Sequence, residues 1–520
     1  MRLDRFLTAR WWPVALLAVA ALGLRFPSLG SKPFWFDECF SAEIARISWG
    51  NFLHLLWWRE ANMSFYYLLL RLWMYFGQSP FFIRTLSVLI GAATVPPVYW
   101  VGRQLYDRRT AWVAAVLFTF NAYSVRYSQE ARSYALFVLL ATLSSGFLVA
   151  TLRHPVPRNR IAYVVVSILA VYAHFYALLL IAAHWLALRR FGGDPTEAPA
   201  ASRLMRTWKP IGIAVLPLLI FVAKTGAGPL RWIQRPTFDD LFRFCENLSG
   251  GTSWPLPLIY AVASLAAVAA VGRGLWQRGQ IWETWRVQFL GMWLAFPVLL
   301  TILLSFARPV FLARYMIFCL PALVILVAAG LVRVRRSTVL VPVLVGILLL
   351  SCRGILFVYG HDFDTERDAS GAATNFILDH SQRGDAIVFH IAETRGAYEF
   401  FRTIRAGEDT ASPRFTKPLG PEILFPRHGS GLDYHDFTGK PTPELLRSAA
   451  DTHARLWVML MYNSTAGRLD ATTEMLDRVL PAVYPKHQCR EFYKVEVCLY
   501  NKPDTRPAAA PAETEKPPSP

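Results

Sequence analysis

About eleven apolar stretches, each close to the length that crosses a bilayer, lie between residues 11 and 358 and are separated by short clusters of arginine. In hydrocarbon every backbone N–H and C=O must be paired inside the protein, so only helices or a closed barrel are open to such a chain. The stretches are continuously apolar and do not alternate with period 2, which points to helices. The expected fold is an α-helical polytopic membrane protein with about eleven spans: residues 11–29, 85–102, 111–125, 133–152, 161–173, 175–188, 211–224, 255–271, 287–306, 316–332 and 338–358.

Charge placement orients these spans. Arg103, Arg108 and Arg109 follow the second, and Arg153, Arg158 and Arg160 the fourth. Arg189, Arg190, Arg203, Arg206 and Lys209, then Arg273, Arg278 and Arg286, then Arg333, Arg335 and Arg336 mark the later loops on the same side. With these loops and the basic start (Arg2, Arg5, Arg10) in the cytoplasm, the positive-inside rule is obeyed and the C-terminal part falls outside. The formal net charge of +18 is dispersed through these clusters and forms no phosphate-tracking stripe, so nucleic acid is not an expected partner. With 54% hydrophobic residues, an ordinary soluble enzyme is excluded. The first apolar run resembles a signal peptide in outline, but the spans that follow favour a retained helix.

The first outer loop, residues 30–84, contains two further apolar pieces. Residues 41–58 have amphipathic spacing with Trp49, Trp57 and Trp58 suited to the headgroup boundary, and read as one interfacial helix. Residues 62–77 are too short for a crossing and read as re-entrant or interfacial. The membrane domain is therefore expected over residues 1–359. From 360 to 501 helix-like and strand-like stretches alternate, as in a small α/β domain, and the Pro- and Ala-rich tail 502–520 is expected to be disordered. Four of the six cysteines read as isolated thiols. Cys489 and Cys498 flank a strand-like stretch, 492–497, and either pair outside the cell or remain free.

Polar residues gather at the outer turns. Asp37 and Glu38 sit among aromatics after the first span; they either cap the next helix or do chemistry. Gln129, Glu130 and Arg132 lie in a hydroxyl-rich turn, His174 in a tight one, and Arg314 with Tyr315 at the mouth of another span. A lone turn histidine is more often structural than catalytic, and Arg314 could simply reach lipid headgroups, but its planar fork also suits phosphate.

The order of Trp35-Phe36-Asp37-Glu38, the stretch from Asn62 to Trp73 with Tyr66 and Tyr67, the turn from Tyr127 to Leu136, the stretch from Tyr172 to Leu180 and the stretch from Arg314 to Leu323 resembles bacterial members of glycosyltransferase family 39. That family is related to protein O-mannosyltransferases and the lipid A aminoarabinose transferase, within the GT-C superfamily. The resemblance implies transfer of a sugar from a polyprenyl-phosphate-linked donor to an extracytoplasmic lipid, glycan or protein, at the bacterial inner membrane. It also implies an acidic pair, matched by Asp37 and Glu38, and an acidic residue in the second outer turn, matched by Glu130. Many relatives have His-Pro-Pro before the Tyr-Tyr pair, where this chain has Asn62-Met63-Ser64. Family members are regarded as metal-independent, so neither cofactor nor metal is expected.

Inverting transfer needs a base for the acceptor's proton, for which Asp37 is the candidate, with Glu38 and Glu130 orienting either Asp37 or the acceptor. Arg132, His174, Arg314 and Tyr315 are candidates for the donor phosphate, and Asn62, Tyr66, Tyr67 and Gln129 for the acceptor or pocket. The competing reading is a transporter or flippase with Asp37, Glu130 and His174 as a proton relay; the absence of two similar halves counts against it.

Overall fold

The computed structural model describes residues 12–58, 60–191, 202, 204–226, 233–251, 254–275, 281–334, 336–360, 367–406, 420–426, 439–462, 464–465 and 468–502. The tail expected to be disordered, from residue 503, lies outside the described residues, as do Arg2, Arg5, Arg10, Arg203, Arg278 and Arg335. The chain divides into two compact units. One holds the described residues up to Lys32 and from Ile44 to Gly360, the other Pro33–Glu43 and the residues from Arg367 onward. The linear boundary near residue 359 is thus corrected for one segment, since Pro33–Glu43 packs with the C-terminal unit.

In the first unit a helix lies on every expected span. Among the described residues, six are long and apolar enough to cross a bilayer by themselves: Pro80–Leu105, Tyr134–Arg153, Leu204–Thr225, Trp282–Ala307, Ala313–Leu331 and Thr338–Gly360. Trp12–Gly23, Ala177–Arg189 and Pro255–Ala270 are shorter apolar helices. The protein is a multi-pass membrane protein.

Several elements differ from the sequence reading for local reasons. The span at 85–102 is built from Pro80–Ala93 and Val95–Leu105, which meet at Thr94 just before Pro96 and Pro97, residues with no N–H to continue the ladder. The run at 111–125 is two helices, Arg108–Thr119 and Ala122–Ser128, restarted by the Asn121 side chain, which accepts the Ser124 N–H at 2.9 Å. The interfacial helix expected at 41–58 is divided into Phe36–Arg46 and Trp49–Trp58. Ser64–Trp73 has ten residues, a rise of about 15 Å and half of a hydrocarbon core. Phe238–Ser249, closed by a reciprocal Thr237–Asp240 capping box, lies in what reads as an outer loop.

Close helix contacts rest on small residues, the usual device where lipid supplies no hydrophobic force between helices. A Cβ on Gly330 would lie 1.8 Å from the Ala263 carbonyl, and one on Gly91 2.1 Å from the Ser128 hydroxyl. Three buried arginines are satisfied largely by carbonyl and hydroxyl oxygens. Arg25 donates to Ala21 O, Ser124 Oγ and Ser128 Oγ at 3.0, 2.9 and 3.2 Å. Arg84 donates to the carbonyls of Leu29 and Lys32 at 2.7 and 3.0 Å. Arg71 holds those of Ala45 and Ile47 at 3.1 and 2.6 Å and covers the Trp49 ring at 4.1 Å, which explains the break after Arg46.

The second unit is an α/β domain around a five-stranded sheet. Its strands lie in the order Glu422–Phe425, Ala386–His390, Arg455–Met461, Val495–Asn501 and Lys486–Phe492, the first three parallel and the remaining pairings antiparallel. Ala386–His390 is buried throughout, as a strand covered on both faces must be. Leu446, Leu476 and Leu480 of two helices cover one face over Val388 and Val458. Ala373, Ile377 and Tyr398 cover the other over Phe389, Trp457 and Met459, and Phe36 from the early segment joins this second cluster. The early segment is fixed by Phe34 stacked on Phe400 at 4.7 Å, Phe36 edge-on to Tyr462 at 5.7 Å, and the Phe36 N–H donating to Asp368 at 2.8 Å.

The strand expected over 492–497 is instead a hairpin corner. Lys494 takes the left-handed φ of 60° between the last two strands, and the register sets Cys489 directly opposite Cys498 with Cα atoms 4.0 Å apart. The two are disulfide-bonded, which resolves the alternative left by the sequence. Alkylation of denatured, unreduced protein should therefore modify four of the six cysteines by intact-mass analysis, and all six only after reduction. Six adducts without reductant would refute the bridge.

Candidate active site

The site in the membrane unit is assembled from three turns. The first follows Ala122–Ser128. The Gln129 amide donates to the carbonyls of Arg25 and Pro27 at 3.0 and 2.7 Å, tying the turn to the end of the first helix. Gln129 is thus committed on its nitrogen side to scaffolding, while its Oε1 is buried without a hydrogen-bond partner. Glu130 is 1% exposed and lies 3.8 Å from Arg126 one helical turn earlier. Arg132 follows, half-buried, and then Tyr134–Arg153 begins.

The second turn ends Pro157–Ala173 at His174. Its imidazole stacks on Phe137 at 4.9 Å and meets the rings of Tyr315 at 4.7 Å and Tyr176 at 5.3 Å. The third turn comes after Ile281–Ala307. Ser305 Oγ accepts from the N–H groups of Val310 and Phe311 at 3.1 and 2.9 Å, and the short 3-10 helix Ala313–Cys319 then carries Arg314 and Tyr315 inward. The Tyr315 and Tyr134 rings lie 6.4 Å apart, closing the group.

Asn62 and Tyr66 support this assembly, and Tyr67 lies beside them. Asn62 Oδ1 accepts the Phe175 N–H at 3.0 Å, and Ser64 Oγ donates to the Tyr172 carbonyl at 3.3 Å, so both brace the His174 turn. Met63 between them has a left-handed φ of 66°, an uncommon conformation for a residue with a side chain. Tyr66 shares a 3.2 Å hydrogen bond with Ser87, whose hydroxyl donates to the Arg132 carbonyl at 3.4 Å. Tyr67 reaches Glu60 at 3.5 Å.

The electrostatics centre on His174. Nδ1 accepts the Tyr176 N–H at 3.2 Å, which assigns the ring proton to Nε2. Nε2 is buried and has no hydrogen-bond partner among the described residues. Burial, then the charges of Arg132 and Arg314, hold its pKa down to about 3, so the imidazole is a neutral donor at neutral pH. A buried N–H without an acceptor, flanked by two guanidinium groups, is suited to an anionic oxygen.

Asp37 and Glu38 belong to the other unit, in the first turn of Phe36–Arg46. Glu38 is fully buried, whereas Asp37 is half-exposed. Asp368, which caps this helix, has its pKa raised by burial. Among the described residues, the group of metal-type ligands is Cys489, Glu496 and Cys498, and its two sulfurs are already bonded to each other.

No family model and no curated protein matches the sequence. Among solved structures, ArnT from Cupriavidus metallidurans in the apo state aligns with a TM-score of 0.60 at 12% identity, over 94% of this chain and 97% of that one. ArnT bound to undecaprenyl phosphate aligns at 0.53 and 14%, over 94% and 98%. The oligosaccharyltransferase of Archaeoglobus fulgidus in the apo form aligns at 0.51 and 10%, over 76% and 64%. The chain shares the fold of these proteins.

The tyrosines of the hydroxyl-rich turn, read from the sequence as a polar group, pack ring against ring. Tyr123 meets Tyr127 at 4.8 Å, Tyr127 meets Tyr134 at 5.0 Å, and Tyr315 meets Tyr176 at 5.1 Å. Tyr123 and Tyr127 stand one helical turn apart on Ala122–Ser128, behind the capping Asn121.

The depressed pKa of His174 has a stability consequence. The unfolded chain binds a proton near the ordinary pKa of 6.5 and the folded one does not until about pH 3. The contribution is complete above 6.5 and is lost as pH falls from there, by up to about 1.4 kcal/mol per pH unit. Melting temperatures between pH 7 and pH 5 should therefore fall more for wild type than for His174→Asn; equal slopes would contradict this environment for the ring.

Proposed function

We propose that this GT-C protein transfers a hexosyl or pentosyl group from a polyprenyl-phosphate-linked donor to an extracytoplasmic lipid, glycan or protein, with inversion at the anomeric carbon. The observation that carries this reading is the buried His174 N–H beside Arg132 and Arg314, in a fold shared over most of its length with a protein that has been seen holding undecaprenyl phosphate. The N-terminus is cytoplasmic in this proposal, and the three turns and the C-terminal unit face outward, at the bacterial inner membrane.

In the reaction the acceptor oxygen attacks the anomeric carbon and its proton passes to Asp37, the accessible member of the acidic pair. The bond from that carbon to the phosphate oxygen breaks, and its electron pair leaves with the lipid phosphate. Arg132, Arg314 and the Nε2–H of His174 stabilise the charge that develops there, with Tyr315 packed against the histidine. Glu130, buried beside Arg126, supplies the negative charge that keeps the arginine-rich turn in place. Asn62, Tyr66 and Tyr67 shape the pocket through the turns they brace. No metal is assigned a role.

Purified protein assayed with a panel of polyprenyl-phosphate sugars tests this reading. Asp37→Asn should retain donor binding and lower turnover by about 100-fold or more, whereas Arg314→Ala should weaken donor binding, with lysine restoring it only in part. Near wild-type turnover in Asp37→Asn would remove Asp37 as the base, and unchanged donor affinity in Arg314→Ala would remove Arg314 from the phosphate site.

A further inference from the structure

A cleft of about 500 Å³ opens between the start of Pro157–Ala173 and the approach to Trp208–Thr225. Arg160 and Arg206 line it together with Ile161, Val164, Val165 and Pro210. It lies at the arginine-rich end of the helix whose other end carries His174. The fourteen residues from Arg160 to His174 rise about 20 Å, so the cleft is separate from the candidate phosphate site.

The lining has two chemistries in one opening: two guanidinium groups and an aliphatic wall. A soluble anion would satisfy the arginines and leave the wall of Ile161, Val164 and Val165, at the start of a span, without an apolar occupant, and a neutral acyl chain would leave two cations beside apolar surface without a counter-charge. An anionic headgroup with its acyl chain attached satisfies both. Arg158 and Lys209, exposed on the same two segments, add to the positive potential that concentrates acidic lipids at this leaflet.

We propose that this cleft is a binding site for an anionic phospholipid of the leaflet on the side of the basic loops, with the phosphate between Arg160 and Arg206 and an acyl chain along Val164 and Val165. The site is independent of the transfer reaction proposed above.

The test is native mass spectrometry of delipidated full-length protein titrated with phosphatidylglycerol, phosphatidylcholine, undecaprenyl phosphate or inorganic phosphate. Wild type should retain phosphatidylglycerol in preference to phosphatidylcholine, and inorganic phosphate should not displace it. The double variant Arg160→Gln/Arg206→Gln should bind it roughly 30-fold more weakly. Arg158→Gln/Lys209→Gln, which removes the same charge outside the lining, should weaken binding much less, through the long-range potential alone. Val164→Trp, which fills the cleft and keeps both arginines, should also lose the lipid, and it provides the test if the double variant fails to fold. Equal phosphatidylglycerol binding in wild type and the cleft variants would overturn the proposal. So would an equal loss in Arg158→Gln/Lys209→Gln, or displacement by inorganic phosphate. Loss of undecaprenyl phosphate binding in the cleft variants would assign the cleft to the donor and overturn it equally.

Discussion

Oxygen atoms placed around buried arginines organise the membrane unit. A guanidinium group surrounded by apolar helices is too costly unless its donors are occupied, and Arg25, Arg84 and Arg71 meet that requirement largely with carbonyl oxygens at helix ends and loops. Each arginine therefore specifies backbone geometry. Arg25 joins the end of the first helix to Ser124 and Ser128, and with Gln129 it sets the height of the turn that carries Glu130 and Arg132. Arg84 and Arg71 grip the chain at Lys32 and at Ala45, on either side of the segment that bears Asp37.

The sequence exposed what depends on local hydropathy. The spans, the domain change near residue 360 and the three polar turns are statements about which short stretches avoid water, and each is readable without knowing its neighbours. Glu130, Arg132, His174, Arg314 and Tyr315 could be named because polar residues beside a bilayer are few. What was hidden depends on contacts between distant residues. Nothing in the periodicity around Pro33–Glu43 announces that Phe34 and Phe36 pack on Phe400 and Tyr462. Nor does the Asn62 stretch show that its amide will hold Phe175. Breaks inside apolar runs, at Asn121 and Thr94, were hidden because hydropathy averages over the residues that interrupt a helix.

Identities of 10–14% to solved structures that still share the fold fit this division. In lipid many apolar side chains serve a given helix position, so a fold can be kept at low identity. At Asn62-Met63-Ser64, where the sequence departs from the pattern it otherwise resembles, Asn62 and Ser64 both bind backbone of the His174 turn.

The membership of Pro33–Glu43 in the C-terminal unit imposes an order on biogenesis. Phe36 is among the first residues to emerge beyond the first helix, while the carboxylate that caps its helix belongs to Asp368, 332 positions later. At ordinary translation speeds that separation is about 15–70 s. During this interval Phe34 and Phe36 have been synthesised and Phe400 and Tyr462 have not. The segment must therefore wait, with aromatic side chains uncovered, for the C-terminal unit to be made, and a chain truncated before residue 367 would leave it without these partners.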